Sequence, residues 1–307
     1  MKTKELAALF ALGAVWGASY LFIRVAVPAL GPFPLAAGRV ALAGLVLWLG
    51  IRAAGQRPAI RENARKLLIL GGLNAAIPFS LIAAAELHVT ASLAAMLTAT
   101  APMWSAVFSA VWLGEPIGTR RGGGLLLGVA GVAVLVGWSP IEMTTTVALS
   151  ILAVLVATCS YVLATVYAKR NLAGVPAPTL ALGQQLGAAV LLAVPAAVRV
   201  PHAHPTTTAL LALAALAVIC TAVAYLLFFR LVASIGPTKL STVTYLIPVF
   251  GTAWGALFLG EPVTRGMIAG LALILASVVL VNDVRLGKLL RLLRSVTAGQ
   301  VANAARP

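Results

Sequence analysis

One stretch decides the fold because the chain contains it twice. Residues 101–116 read APMWSAVFSAVWLGEP, and residues 247–262 read IPVFGTAWGALFLGEP. The shared LGEP falls at Leu113–Pro116 and Leu259–Pro262, 146 residues apart, and Pro102 and Pro248 keep the same spacing. Aromatics recur in register, Trp104 with Phe250 and Trp112 with Phe258. Each copy is an uncharged apolar helix that stops in one way. Gly leaves the helix, Pro forbids its continuation, and Glu sits where water resumes. Upstream, LAAGRVALAGLVL around Arg39 lines up with LALGQQLGAAVLL around Gln184, and Ser19-Tyr20 has a weaker echo in Ser160-Tyr161. The chain is an internal duplication.

Composition says what solvent the duplicated unit meets. The 307 residues are 61% hydrophobic and only 9% charged, with a mean hydropathy of +1.04. A soluble chain would carry about a quarter of charged residues, so lipid is the expected surrounding. Cutting at charges and Pro/Gly clusters gives ten apolar runs: 6–27, 34–51, 67–87, 92–113, 122–138, 147–167, 177–198, 209–229, 239–259 and 266–282. A bilayer core of about 30 Å asks for roughly 20 such residues per helix. The first run is too long for a cleaved signal peptide and is read as the first span. Basic residues test the cutting. Lys2, Lys4, Arg52, Arg57, Arg61, Arg65, Lys66, Arg120, Arg121, Lys169, Arg170, Arg230, Lys239 and five tail residues fall on one side. The opposite loops hold only Arg199 and Arg265, so the positive-inside rule expects both termini in the cytoplasm. The net charge of +15 is thus a topology signal, and nucleic acid is not an expected partner. Arg285–Arg294, in the basic tail, is read either as an interfacial helix on membrane lipids or as a solvated end. Cys159 and Cys220 lack disulfide or metal spacing and are read as packing residues.

A duplication of five spans has an odd number, so the second copy must cross the membrane in the opposite sense. Inverted repeats are a recurring plan of secondary transporters, with substrate held between the halves near the midplane. The chain resembles the EamA-type family of the drug/metabolite transporter superfamily along nearly its whole length. The resemblance rests on VWGASYLFIRVA (15–26), LHVTASLAAML (87–97) and FRLVASIGPTKLSTVTYLIPVFGTAWGALFLGEP (229–262). It implies an all-α fold of ten helices in two inverted five-helix repeats, 1–138 and 147–282, followed by a basic cytoplasmic tail, 283–307. It also implies a plasma-membrane carrier with a central cavity open alternately to each side, which exports or exchanges amino acids, metabolites or drug-like compounds.

Ionisable groups at membrane depth point to function by default. Arg24, Arg39 and Glu86 lie in the outer third of the first repeat, with His88 read as a loop residue. Glu86 is the acid expected to bind a cation or couple transport to H+, and Arg39 the group expected to bind a carboxylate. The structural alternative pairs Glu86 with Arg24 or Arg39 while the arginines snorkel to the headgroups. Gln184 and Gln185 stand where Arg39 stands in the first repeat, and with Asn74 they bind substrate or join helices. Trp16, Tyr20, Trp104, Tyr245 and Trp254 lie near the midplane and offer stacking and cation–π walls to a flat or cationic solute. Pro102 and Pro248 are expected to kink or hinge the fourth and ninth spans.

No GxxxxGK[ST] motif provides an ATPase, so an ion gradient or an exchanged solute is the expected energy source. The residues imply no cofactor and no metal. A membrane-embedded enzyme would need a catalytic constellation, whereas the spans hold one acid and the histidines lie in loops. A non-transporting scaffold is the other alternative. Glu115 and Glu261, from the two LGEP copies, are read as structural marks of the repeat and not as ligands.

Overall fold

The computed structural model describes residues 3–113 and 118–281. Glu115 and the basic tail lie outside the described residues. Every described element is helical. A chain in lipid must satisfy its backbone within each segment, and a helix does so.

Eight helices are long and apolar enough to cross a membrane. They begin with Thr3–Leu30, Pro32–Ala53, Arg61–Ala85 and a fourth that opens at Ala91. Thr119–Gly137, Thr145–Asn171, Ala177–Arg199 and Thr207–Ile235 complete the eight, and Val243–Leu259 and Arg265–Val281 are two shorter apolar helices of 17 residues each. They are the ten spans read from the sequence, in order. Their starts carry the expected caps. Thr90, Thr144 and Thr206 accept the amides of Leu93, Val147 and Ala209 through their hydroxyls. At the second LGEP, Gly260 takes the left-handed conformation at φ 64° and releases the chain from the ninth span.

The two proline positions part company. The fourth span is broken into Ala91–Thr98 and Ala101–Leu113, with a turn at Ala99 and Thr100. Pro102 therefore sits in the first turn of the second piece, where its missing N–H costs nothing. Pro248 lies inside the unbroken helix Val243–Leu259 and is buried. The expected mid-helix kink is thus a helix break in one repeat and a proline within a continuous helix in the other.

A second repeat feature carries no sequence signal. The third span contains a π-helical turn at Gly72–Ala76 and the eighth another at Val218–Val223. Their first residues are 146 apart, the offset of the LGEP copies. Such turns recur at functional sites because they redirect side chains and carbonyls.

The repeats interlock. The first span packs on the eighth and ninth, and its counterpart, the sixth, packs on the third and fourth. The second span lies on the seventh and the fifth on the tenth. Glycine permits the closest approaches. A Cβ on Gly71 would meet the Ala188 amide nitrogen and the Gln184 carbonyl oxygen at 2.5 Å, and one on Gly131 would meet Ile274 at 2.9 Å. Small residues at helix contacts are the usual means of packing within lipid.

Packing is uneven along the membrane normal. The largest buried cluster takes Ile23–Leu30 from the first span, Ile82–Ala85 from the third and Ala91–Leu97 from the fourth. Val147, Ile151 and Val154, Ala209, Ala212 and Leu216, and Met267 and Ile274 also belong to it. All of these belong to the end of the bundle that carries Glu86. Toward the other end, no described residue of Ala101–Leu113 is buried. The looser packing is local to this second half of the fourth span, since Leu9, Leu12, Leu231 and Val243, and separately Leu67, Leu70 and Leu172, form buried clusters at the same end.

Candidate functional site

Arg39 is the centre of a polar cluster in the bundle interior. It is 6% exposed. Its Nε donates to Thr221 Oγ1 at 2.9 Å, and its guanidinium lies over the Phe79 ring at 3.7 Å. Among the described residues no carboxylate pairs with it. Thr221 reaches it from the π turn of the eighth span, and its hydroxyl also donates to the Leu216 carbonyl five residues back. Tyr20, Tyr161, Tyr225 and Cys220 lie within electrostatic reach of the guanidinium. A desolvated cation without a counter-charge costs several kcal/mol, and the ring and the hydroxyl offset only part of that. The arrangement presents a positive group to an interior lined with phenols.

The other π turn supplies a second polar group next door. Asn74 donates to Gln184 Oε1 at 2.7 Å and to the Tyr225 hydroxyl at 3.1 Å. Trp16 meets Tyr225 edge-on at 6.5 Å and Phe228 at 5.6 Å. Tyr20 shares a hydrogen bond of 2.8 Å with Thr98, just before the break in the fourth span. Gln185 is wholly buried, with neither side-chain atom bonded among the described residues. Trp16 and Gln184 are thus joined through Tyr225 and Asn74, while Arg39 is held on Thr221 with Tyr20 and Tyr225 within electrostatic reach. Trp104 lies on the looser half of the fourth span, half-buried, with an indole N–H that has no partner among the described residues. Tyr245 is half-buried in the ninth span.

Trp254 sits elsewhere. Its indole donates to the Ala14 carbonyl at 3.0 Å, and its ring packs between Phe250 and Phe258. Phe258 is 67% exposed and Phe10 46%, so this aromatic row faces outward from the bundle. Trp254 joins the first and ninth spans rather than the Arg39 cluster. A groove of about 320 Å³ between the third and seventh spans, lined by Leu67 and Gly187 among others, contains none of the expected substrate residues.

The Glu86 end departs from both expected pairings. Arg24 does not snorkel: its guanidinium donates to the backbone carbonyl of Glu86, at the C-terminal end of a helix, where a cation is favoured. The Glu86 side chain is wholly buried, and neither carboxyl oxygen has a hydrogen-bond partner among the described residues. Glu261, expected only to mark the return to water, is half-buried. Its Oε1 accepts the Ala91 amide at 2.8 Å and its Oε2 the Ser92 amide at 2.9 Å. The second repeat thereby caps a helix of the first.

Thr221, Phe79 and Tyr225 were not found by sequence reasoning. Each lies in an apolar run without a charge to mark it, and only the register imposed by the π turns brings them to Arg39 and Asn74.

The fold and the interior cluster define a class, that of multi-pass membrane transporters built from two helical repeats. Within it, the model of the EamA-like transporter family matches residues 3–137 and 148–283, and the chain belongs to that family. An uncharacterized transporter, YvbV of Bacillus subtilis, is 29% identical over 92% of each chain. The uncharacterized inner membrane transporter YedA of Escherichia coli is 27% identical over 97% of this chain and 96% of its own. A probable terminal-alkyne amino-acid exporter of Streptantibioticus cattleyicolor is 25% identical over 93% and 96%. A solved crystal structure shares the fold with a TM-score of 0.64 at 21% identity, covering 91% of this chain and 96% of that one.

Proposed function

We propose that this transporter is a secondary carrier that exports small organic metabolites bearing a carboxylate beside an apolar or aromatic body, such as amino acids, by alternating access. Buried Arg39 carries this reading, because it lacks an acidic partner among the described residues and is held on Thr221 and Phe79. A carboxylate would complete its coordination, since guanidinium is the side chain best matched to two parallel hydrogen bonds. Trp16, Tyr20 and Tyr225 would then hold the rest of the solute by ring contacts, with Gln184 and Asn74 accepting and donating at its polar groups. The exporter named among the relatives, which acts on an amino acid, supports the same class. Trp104, on the loosely packed half of the fourth span, and Tyr245 would meet solute that enters from the cytoplasm. The termini are assigned to that compartment on the charge of the loops, and the break at Pro102 is assigned to the hinge of the fourth span. Pro248, within an unbroken helix, is assigned the companion bend of the ninth.

The test is solute counterflow in proteoliposomes loaded with an unlabelled amino acid. Labelled carboxylate-bearing solutes should accumulate, and the matching amines without a carboxylate should not. Arg39→Gln should lower the rate by at least about a hundredfold, in line with loss of a buried charged pair. Equal transport of the amine, or an unchanged rate in Arg39→Gln, would sink this assignment.

A further inference from the structure

Glu86 and Glu261 come from opposite repeats and face each other at one end of the bundle. Glu261 is engaged, with one oxygen on each of the first two amides of Ala91–Thr98. The ninth span makes room for it: a Cβ on Gly255 would stand 2.5 Å from Glu261 Oε2. Glu86 lies five residues before Ala91, wholly buried and with both carboxyl oxygens unpartnered among the described residues. The charged and titratable groups facing it are Arg24 and Tyr20 of the first span, Arg39 of the second and Glu261 beyond the ninth. Arg24 is already bonded to its carbonyl. His88, in the same loop, is exposed.

An ionised carboxylate in that position would have lost its water, gained no hydrogen bond and faced a second carboxylate. A neutral acid also lacks a hydrogen-bond partner there, but it loses far less on leaving water and is not repelled by the second carboxylate, so the packed arrangement favours the protonated form. Glu261, by contrast, gains as an anion, because two helix N-terminal amides point at it.

We propose that Glu86 and Glu261 form a proton-controlled latch on the outer gate: Glu261 clamps the start of the fourth span while Glu86 holds a proton, and loss of that proton releases the clamp. The proton leaves Glu86 for water on that face. The new carboxylate repels Glu261 from the amides and draws Arg24 away from the carbonyl onto itself. Both changes loosen the same three segments, namely the outer end of the first span, the start of the fourth and the loop after the ninth. Protonation from outside reverses them and shuts the gate, so the proton enters and leaves on the same face and external pH sets how long the gate stays open. The latch rests on the transporter reading above, but its geometry is measurable without any solute.

The experiment is a pulsed-EPR distance between spin labels at His88→Cys and Val263→Cys, in full-length protein with Cys159 and Cys220 replaced by Ser. In the parent the short distance should dominate at about pH 5 and a longer one at about pH 9. Glu86→Gln should hold the short distance at both, and Glu261→Ala the long distance at both. A parent distribution that ignores pH, or a pH response that survives Glu86→Gln, overturns the latch. The parent titration needs no substitution at either Glu, so a variant that fails to fold leaves the inference decidable. If distances switch while counterflow fails for every solute, the substrate assignment falls and the latch stands. If counterflow proceeds while the distances stay fixed, the latch falls and the substrate assignment stands.

Discussion

Arg39 depends on a hydroxyl that only a π turn places beneath it. Thr221→Val keeps the volume and removes the acceptor, leaving Nε without a partner, at a cost of about 1.5–3 kcal/mol. Solute affinity in counterflow should fall by roughly ten- to a hundredfold, while Thr221→Ser stays close to the parent. Arg39→Lys should not rescue transport, because an ammonium cannot grip a carboxylate with two parallel bonds or lie flat on Phe79. Recovery of more than about half the rate in Arg39→Lys would argue for a plain charge site. Arg39 and Glu86 were legible in the sequence because a charge inside an apolar run is conspicuous. Thr221, Phe79 and Tyr225 were not, since nothing in an all-apolar helix marks the side that faces inward. Glu261 was legible as a helix stop but not as a cap, because its partner amides lie about 170 residues away.

At the scale of the element, contact between backbones sets tolerance. A methyl on Gly71 would press on main-chain atoms of the seventh span at 2.5 Å, whereas one on Gly50 would meet nothing within 4 Å. Gly71→Ala should therefore lose about 1–3 kcal/mol as overpacking and show a lower Tm in detergent. Gly50→Ala should remain within about 0.5 kcal/mol of the parent. Because Gly71 abuts the Gln184 carbonyl, the same change should also weaken transport more than its loss of stability explains. The helices themselves were readable, since lipid demands long apolar runs and the loops interrupt them with charge. The break at Ala99–Thr100 was readable only as a kink. Proline announces that a hydrogen bond is lost, and tertiary packing decides whether the helix bends or restarts there.

For the whole molecule, the alternation of basic loops gives an orientation. Reporter fusions after Arg57 and Gly174 should light up in the cytoplasm, and fusions after Pro140 and Ala203 should not. The reverse pattern would exchange the assignments of the two faces and move the Glu86 latch to the inner gate. The interlocked packing of the first span on the eighth and ninth, and of the sixth on the third and fourth, has a further consequence for expression. Neither repeat can complete its core alone, so a half-length chain of residues 1–138 should be degraded unless the other half is supplied with it. Survival of the lone half at parental levels would contradict that dependence.

The paired π turns can also be counted as codons. A π turn holds one residue more than the α-helix needs, and each helical residue advances the face by about 100°. Deleting one residue within Val218–Val223 would let the eighth span close as a regular helix, with the flanking turns close to their old register and only Thr221 and its neighbours pulled away from Arg39. The span would still cross the membrane and remain apolar throughout, so insertion and folding tolerate the loss far better than transport does. Of all single-codon deletions in the spans, those in the two π turns are the ones that should leave a stable protein with nothing to carry.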